Sequence, residues 1–187
     1  MRTMLAMVGS PRRDSFSRRL PLAAGSDVPA DVRMDLWEGL RAVPAFDEDL
    51  DSESTPPAVA DPREQIRAAD PVLFATPEDN GSIPGVLRNA PDWVTRPEAT
   101  GALRDRPVAV IGASPSPRGA QGAQVTCAGV LAGIGAEVCD VGLAIAPVHQ
   151  RVDRQGTPTD DTLRRQLRQV PGRLIEHANL STMWLAG

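Results

Sequence analysis

Between Asp70 and Thr76 the chain carries no polar side chain, and between Arg106 and Ser114 it again carries none. Such runs, apolar without alternation, are strands covered on both faces, and that demands a parallel sheet with helices on either side. The first run, residues 70–75, empties into Thr76-Pro77-Glu78-Asp79-Asn80-Gly81-Ser82-Ile83-Pro84-Gly85. A helix is expected to start at about Gly85, with Ser82 able to cap it and Pro84 tolerated in its first turn. The ten residues therefore form a loop at the carboxyl end of a central strand, the edge where open parallel sheets bind ligands. Prolines and glycines make it a rigid, backbone-rich surface suited to a flat ligand. Composition alone is equally compatible with an ordinary strand-to-helix connection.

Residues 3–8 form a candidate first strand. It runs into Gly9-Ser10-Pro11-Arg12-Arg13-Asp14-Ser15-Phe16-Ser17-Arg18, and a helix is expected over about 15–24. Free N–H groups at a helix start, serine hydroxyls and an arginine suit one phosphate. The bland alternative is a capped helix with solvated arginines. Neither G-x-x-x-x-G-K-[ST] nor G-x-G-x-x-G is present. Pro21 is expected to shorten or kink this helix.

Residues 31–37 alternate and suit a second strand nearer the sheet edge. Residues 38–62 carry Pro44, Pro56, Pro57 and Pro62 and read as a long irregular excursion, whose 44–50 core can pack beside a site. A short helix is expected over 62–69, and another over 87–94 despite Pro91. The strand at 106–113 leads into a second small-residue loop, 114–122. A helix over 121–133, a last strand over 136–141 and a helix over 159–178 complete the chain. On that last helix Leu163, Leu167, Val170, Leu174 and Ile175 share one face. Strands and helices alternate throughout, so a parallel sheet with right-handed crossovers is expected.

With 187 residues, 41% hydrophobic and 24% charged, the chain reads as one domain able to bury its own core. A net charge of −4 argues against nucleic acid as a main partner. All 20 basic residues are arginine and tyrosine is absent, which reads as codon bias rather than chemistry. Cys127 and Cys139 form no C-x-x-C pair and read as core residues of a reduced compartment. The first apolar run is too short for a signal peptide, and no run reaches the roughly 18 residues of a membrane span. A cytoplasmic protein is expected. His149 and His177 lack metal-ligand spacing and read as surface or packing residues. Asp47, Glu48 and Asp49 read as a solvated loop, with no metal assigned. Trp93 reads as helix packing, at a core or oligomer face.

In a doubly wound sheet of order 2-1-3-4-5 the first, third and fourth strands are adjacent, and their loops share one crevice. One loop is shaped for phosphate. The other two offer backbone donors and small side chains for a planar heterocycle, so a phosphorylated, ring-bearing cofactor fits all three.

At this point the chain resembles the NADPH-dependent FMN reductase family, the flavodoxin-like group that includes chromate and quinone reductases and arsenical-resistance flavoproteins. The matching pieces are Gly9-Ser10-x-Arg12-x-x-Ser15-Phe16, Pro44-x-Phe46-x-Glu48-Asp49-Leu50 and Arg63-Glu64-Gln65-Ile66-x-x-Ala69-Asp70. Phe74-Ala75-Thr76-Pro77-Glu78-x-Asn80-Gly81-Ser82-Ile83-Pro84-Gly85-Val86-Leu87-x-Asn89-Ala90-x-Asp92-Trp93 follows, then Gly112-Ala113-Ser114 and Ala123-Gln124. The matches run in order over about residues 4–138.

The resemblance implies a flavodoxin-like three-layer α/β sandwich on a five-stranded parallel sheet, holding FMN non-covalently. It places the phosphate on Ser10, Arg12, Ser15 and Ser17. The ring would lie against Pro77, Glu78, Asp79 and Asn80, with Ser114 and Gly119 on its pyrimidine side, and Phe16, Gly81 and Ser82 also count among the cofactor-binding residues. NAD(P)H would give hydride to flavin N5 in a ping-pong cycle, with free flavin, quinone or another small acceptor taking the electrons. No side chain need act as a nucleophile, and Glu78 is expected to hold its loop through backbone bonds rather than donate a proton. A homodimer or homotetramer is implied. Alternatives are a partner or binding subunit without reductase activity, and a specialised biosynthetic flavoenzyme.

Three departures stand out. Asp79 replaces the family's usual tyrosine. Pro115, Ser116 and Pro117 replace a glycine-rich stretch and remove backbone donors near the expected flavin O2 and N1. Pro21 and Pro91 intrude on helices the family builds without them.

Overall fold

A computed structural model describes residues 1–26, 28–51 and 55–185. Its strands are β1 (Arg2–Val8), β2 (Val32–Trp37), β3 (Val72–Thr76), β4 (Pro107–Ala113), β5 (Glu137–Val138) and β6 (Leu143–Ile145). The helices are α1 (Phe16–Gly25), α2 (Pro57–Ala68), α3 (Gly85–Val94), α4 (Gln121–Gly133), α5 (Val148–Arg151) and α6 (Asp161–Leu185). The sheet is parallel, of order β2-β1-β3-β4-β5, as expected.

The double covering of the central strands is visible residue by residue. Leu5, Met7, Val72, Phe74, Val108 and Val110 pack into one core with Ile66 of α2, Leu87 of α3 and Cys127 and Leu131 of α4. Their alternates Met4, Leu73, Ala75, Ala109 and Ile111 pack into the other, with Leu20 of α1 and Leu163, Leu167 and Leu174 of α6. Period-two alternation along the apolar stretches of these strands sends every second side chain to each layer. Trp93 is fully buried, so its packing role is a core one.

The last strand departs from the expected 136–141. It is split into two and three residues, and both pieces pair with β4, making six strands rather than five. The cause lies in α4. Gln124 Nε2 donates to the Val110 carbonyl at 2.8 Å, taking the acceptor that a continuous neighbour would have used. A Cβ at Gly142 would sit 2.9 Å from that same carbonyl oxygen, so the chain passes only where glycine stands.

Three helix boundaries also differ. The helix expected at 62–69 begins five residues earlier, because Pro57 occupies its first turn, where a missing N–H costs nothing, and Pro62 is carried inside it. Ser82 does not cap α3, whose N-cap is Pro84, because Ser82 is engaged in a turn with Asp79. α6 runs past the expected 178 to Leu185. α1 keeps ten residues with Pro21 inside, and α3 likewise contains Pro91.

The excursion after β2 is irregular up to α2, apart from short 3₁₀ turns at Gly39–Ala42 and Glu48–Leu50; its residues 52–54 lie outside the described residues. It is pinned to α3. Asn89 Nδ2 and Trp93 Nε1 both donate to the Pro44 carbonyl, at 2.6 and 2.9 Å, and the Phe46 N–H donates to Asn89 Oδ1 at 2.7 Å. Phe46 meets the Trp93 ring edge-on at 5.0 Å. Buried Arg63 closes the seam, bonding Asp51 at 2.8 Å and the Trp93 carbonyl, the end of α3, through Nε and Nη2. No helix among the described residues is long and apolar enough to cross a membrane.

Candidate cofactor site

At the carboxyl ends of β1, β3 and β4 a cleft of about 610 Å³ opens. Its head is Ser10, Arg12, Asp14, Ser15, Phe16 and Ser17; its floor and far wall are Pro77, Asp79, Pro84, Val86, Ala113 and Pro115. Thus the three loops meet in one place. A second cavity of about 620 Å³, beside Glu137, His177 and Ser181, lies by the amino-terminal start of β4, away from these loops.

The head of the cleft is a helix start without a cap. Ser15 stands at the N-cap of α1 with extended backbone, yet its side chain caps nothing, and the first turn holds no acid. Its hydroxyl and that of Ser17 are buried, in residues 7% and 1% exposed, and neither finds a partner among the described residues. A buried hydroxyl left unpaired costs on the order of 1–3 kcal/mol, so a pair of them facing one cleft marks a place prepared for a ligand oxygen. The α1 N-terminus adds its partial positive charge to the same spot. Arg12 is exposed and, among the described residues, in no ion pair, while Arg18 is held by Glu38 at 2.6 Å and Arg19 by Asp14. Arg19 bonds the Asp14 carboxyl and keeps it below the usual carboxylate range. Arg41 Nη2 donates to the Pro11 carbonyl at 3.0 Å, bracing the loop.

The wall after β3 is a tight hairpin. Asp79 and Ser82 exchange backbone hydrogen bonds at 2.9 and 3.1 Å, and Asn80 and Gly81 between them both have positive φ, at 53° and 79°. That is the type I′ turn for which Asn-Gly is the preferred pair. Pro77 and Asp79 line the cleft; Glu78, Asn80, Gly81 and Ser82 do not. Glu78 instead accepts the Ala123 N–H at 3.1 Å, satisfying a free donor in the first turn of α4.

The loop after β4 uses most of its own donors. The Ser114 N–H donates to the Ile145 carbonyl at 3.4 Å, and the Ser116 N–H to Ser114 Oγ at 3.1 Å. The Gly119 N–H donates to Ser116 O at 3.1 Å, and Pro115 and Pro117 have none to give. Ser114 and Gly119 lie outside the cleft lining; a Cβ on Gly119 would strike Ile145 and Ala146 at 2.7 Å. Seven cleft residues lie outside the sequence expectation: Pro11, Asp14, Pro84, Gly85, Val86, Ala113 and Pro115. Ala113 and Pro115 flank Ser114, so that neighbourhood was signalled although the residue was not.

Away from the cleft, burial pushes the Cys127 thiol up to about 12 and the Cys139 thiol up to about 11, so neither is a thiolate nucleophile at neutral pH. His177 Nε2 lies 2.7 Å from Glu137 Oε1 and joins α6 to β5. Among the described residues no group of three His, Cys, Asp or Glu side chains is arranged to hold a metal.

Known proteins carry the same architecture. The NADPH-dependent FMN reductase family matches over residues 2–150. An NAD(P)H-dependent FMN reductase of Pseudomonas aeruginosa is 35% identical over 167 residues, 89% of each chain. A quinone reductase of Pseudomonas putida is 37% identical over 121 residues, and the chain spans about 64% of that relative's length. Among solved structures, the flavoenzyme NAD(P)H:(acceptor) oxidoreductase FerB from Paracoccus denitrificans superposes with a TM-score of 0.87 at 28% identity, covering 97% of this chain and 99% of FerB. The cleft, the uncapped serine-rich helix start and the sequence match converge: this chain belongs to the NADPH-dependent FMN reductase family.

Proposed function

We propose that the protein is an FMN-dependent NAD(P)H oxidoreductase passing electrons to free flavin, quinone or another small acceptor. The observation that carries this reading is the pair of buried, unpartnered hydroxyls of Ser15 and Ser17 at the uncapped start of α1. FMN fits there: its phosphate supplies the acceptor oxygens those hydroxyls lack, with Ser10, the Phe16 N–H and Arg12 beside them. Pro77 and Asp79 then back the ring, with Pro84, Val86 and Pro115 walling it from water. Glu78 and the Asn80-Gly81-Ser82 turn hold that backing in place from behind, and Ser114 and Gly119 shape the loop opposite. Bound FMN would supply the redox chemistry, taking hydride from NAD(P)H and releasing electrons to the acceptor in a second half-reaction. The chain's own part is to bind, orient and exclude water.

The reading extends to one FMN-binding domain in a cytoplasmic homo-oligomer. In support of self-association, α4 has no charged residue from Gln121 to Gly133, and Val125 on its outer side is 68% exposed. A helix with no charged face normally has more than one side of itself covered. The test is the visible spectrum of the purified protein with added FMN, followed by anaerobic NADPH. Bound flavin that bleaches is expected; absence of binding at excess FMN overturns the proposal.

A further inference from the structure

Three charged side chains line the cleft: Arg12 and Asp14 at its head, and Asp79 at the far wall. Asp14 is neutralised by Arg19. Asp79 has no cationic partner among the described residues, and its surroundings in the cleft are Pro77, Pro84, Val86 and Pro115. Its position is set by both backbone bonds of the type I′ turn, so the carboxylate stands on a rigid mount. The cleft is therefore bipolar, positive where Arg12 and the α1 N-terminus converge and negative at the opposite wall. A charge against low-dielectric walls is felt over several ångströms by anything entering the cleft.

We infer that Asp79 is a specificity-determining residue that selects acceptors by charge, favouring neutral, proton-coupled acceptors of the quinone class over anionic ones. The inference rests on the oxidoreductase reading above. In the overall reaction, NAD(P)H, one proton and a quinone give NAD(P)⁺ and a hydroquinone. Two electrons and two protons reach the quinone, so a neutral acceptor leaves neutral and no negative charge builds up beside Asp79. Ferricyanide is the opposite case. Two trianions each take one electron, both leave as tetra-anions, and each approach is opposed by the carboxylate.

The experiment compares the wild-type protein with Asp79→Asn and Asp79→Glu, all loaded with FMN, using menadione and ferricyanide as acceptors. The side chain is exposed and the turn is held by backbone bonds, so the near-isosteric asparagine leaves the fold in place. Asp79→Asn is expected to raise kcat/KM for ferricyanide about tenfold relative to menadione. In wild type the ferricyanide rate should rise with salt, and in Asp79→Asn it should lose most of that dependence. Asp79→Glu should retain the discrimination. Independently of turnover, the midpoint potential of the bound flavin should be higher in Asp79→Asn than in wild type. If FMN binds and is reduced but the acceptor ratio, salt dependence and potential match wild type, the role of Asp79 is overturned and the oxidoreductase reading stands. If neither protein binds FMN nor oxidises NAD(P)H with either acceptor, both readings fall.

Discussion

The Glu78 carboxylate accepts the backbone N–H of Ala123 at 3.1 Å, so a side chain from the loop behind the cleft's far wall caps the helix that follows β4. Two segments 45 residues apart are thereby locked together. Replacing Glu78 by alanine should lower stability by about 1 kcal/mol, the usual worth of an N-terminal cap. It should weaken FMN binding as well, since the Asp79 turn loses its anchor. Urea unfolding and a flavin titration on the same preparation check both effects; a stability loss with unchanged affinity would show the wall to be held otherwise.

Ser15→Ala and Ser17→Ala should act in opposite directions on the empty and loaded protein. Without ligand each removes a buried, unpaired hydroxyl, so the melting temperature should hold or rise slightly. With FMN each should lose about tenfold in affinity, as expected when a hydrogen bond to a charged phosphate goes. Thermal melts with and without FMN separate the two.

Arg63 is 8% exposed, and its guanidinium bonds both the Asp51 carboxylate and the last turn of α3. Arg63→Met should destabilise by about 3 kcal/mol, because Asp51, its side chain largely buried, keeps among the described residues only the longer 3.5 Å contact to Arg96. The denaturation midpoint would fall accordingly. A loss below about 1 kcal/mol would mean that Arg96 takes over the pairing.

Asp160 accepts the Leu163 N–H at 2.8 Å at the start of α6 and receives a two-pronged bond from Arg151. The Leu163 N–H and then Arg151 hold its carboxyl below the ordinary value of 3.8. A depressed folded-state value means that the stabilisation is fully present above about pH 3.8 and is lost as pH falls through the lowered value. Melts of wild type and Asp160→Asn should therefore differ at pH 5 and converge toward pH 2.5. A constant gap across that range would rule out the titration of Asp160 as its cause.

The central strands are legible because their signal is local: β4 is apolar at every position and β3 at every position before its closing Thr76, and burial on both faces explains that. The cleft's head was legible for a similar reason, since Ser10, Arg12, Ser15 and Ser17 sit within eight consecutive residues ahead of and inside one helix start. What escaped depends on partners distant in sequence. The break in the last strand is imposed by Gln124 from a neighbouring helix. The five extra residues of α2 were hidden by Pro56 and Pro57, which read as irregular chain although the second of them suits a first helical turn. Serine is a common helix cap, which favours that role for Ser82, but the Asn80-Gly81 pair beside it centres a hairpin turn that engages Ser82 instead. Asp79 was identified by position, but that it faces the cleft without a cation could be known only once every arginine had been placed.

The split of the outer strand also bears on how copies of this protein can meet. An exposed strand edge offers a row of free backbone groups to any passing chain. Here that margin of the sheet consists of pieces of two and three residues, too short to template a further strand, and the Val110 carbonyl between them is already taken by Gln124. On this side the sheet ends with few groups left to extend it. Any contact there would run through side chains on helices, which have a defined shape, rather than through backbone pairing, which has no natural end.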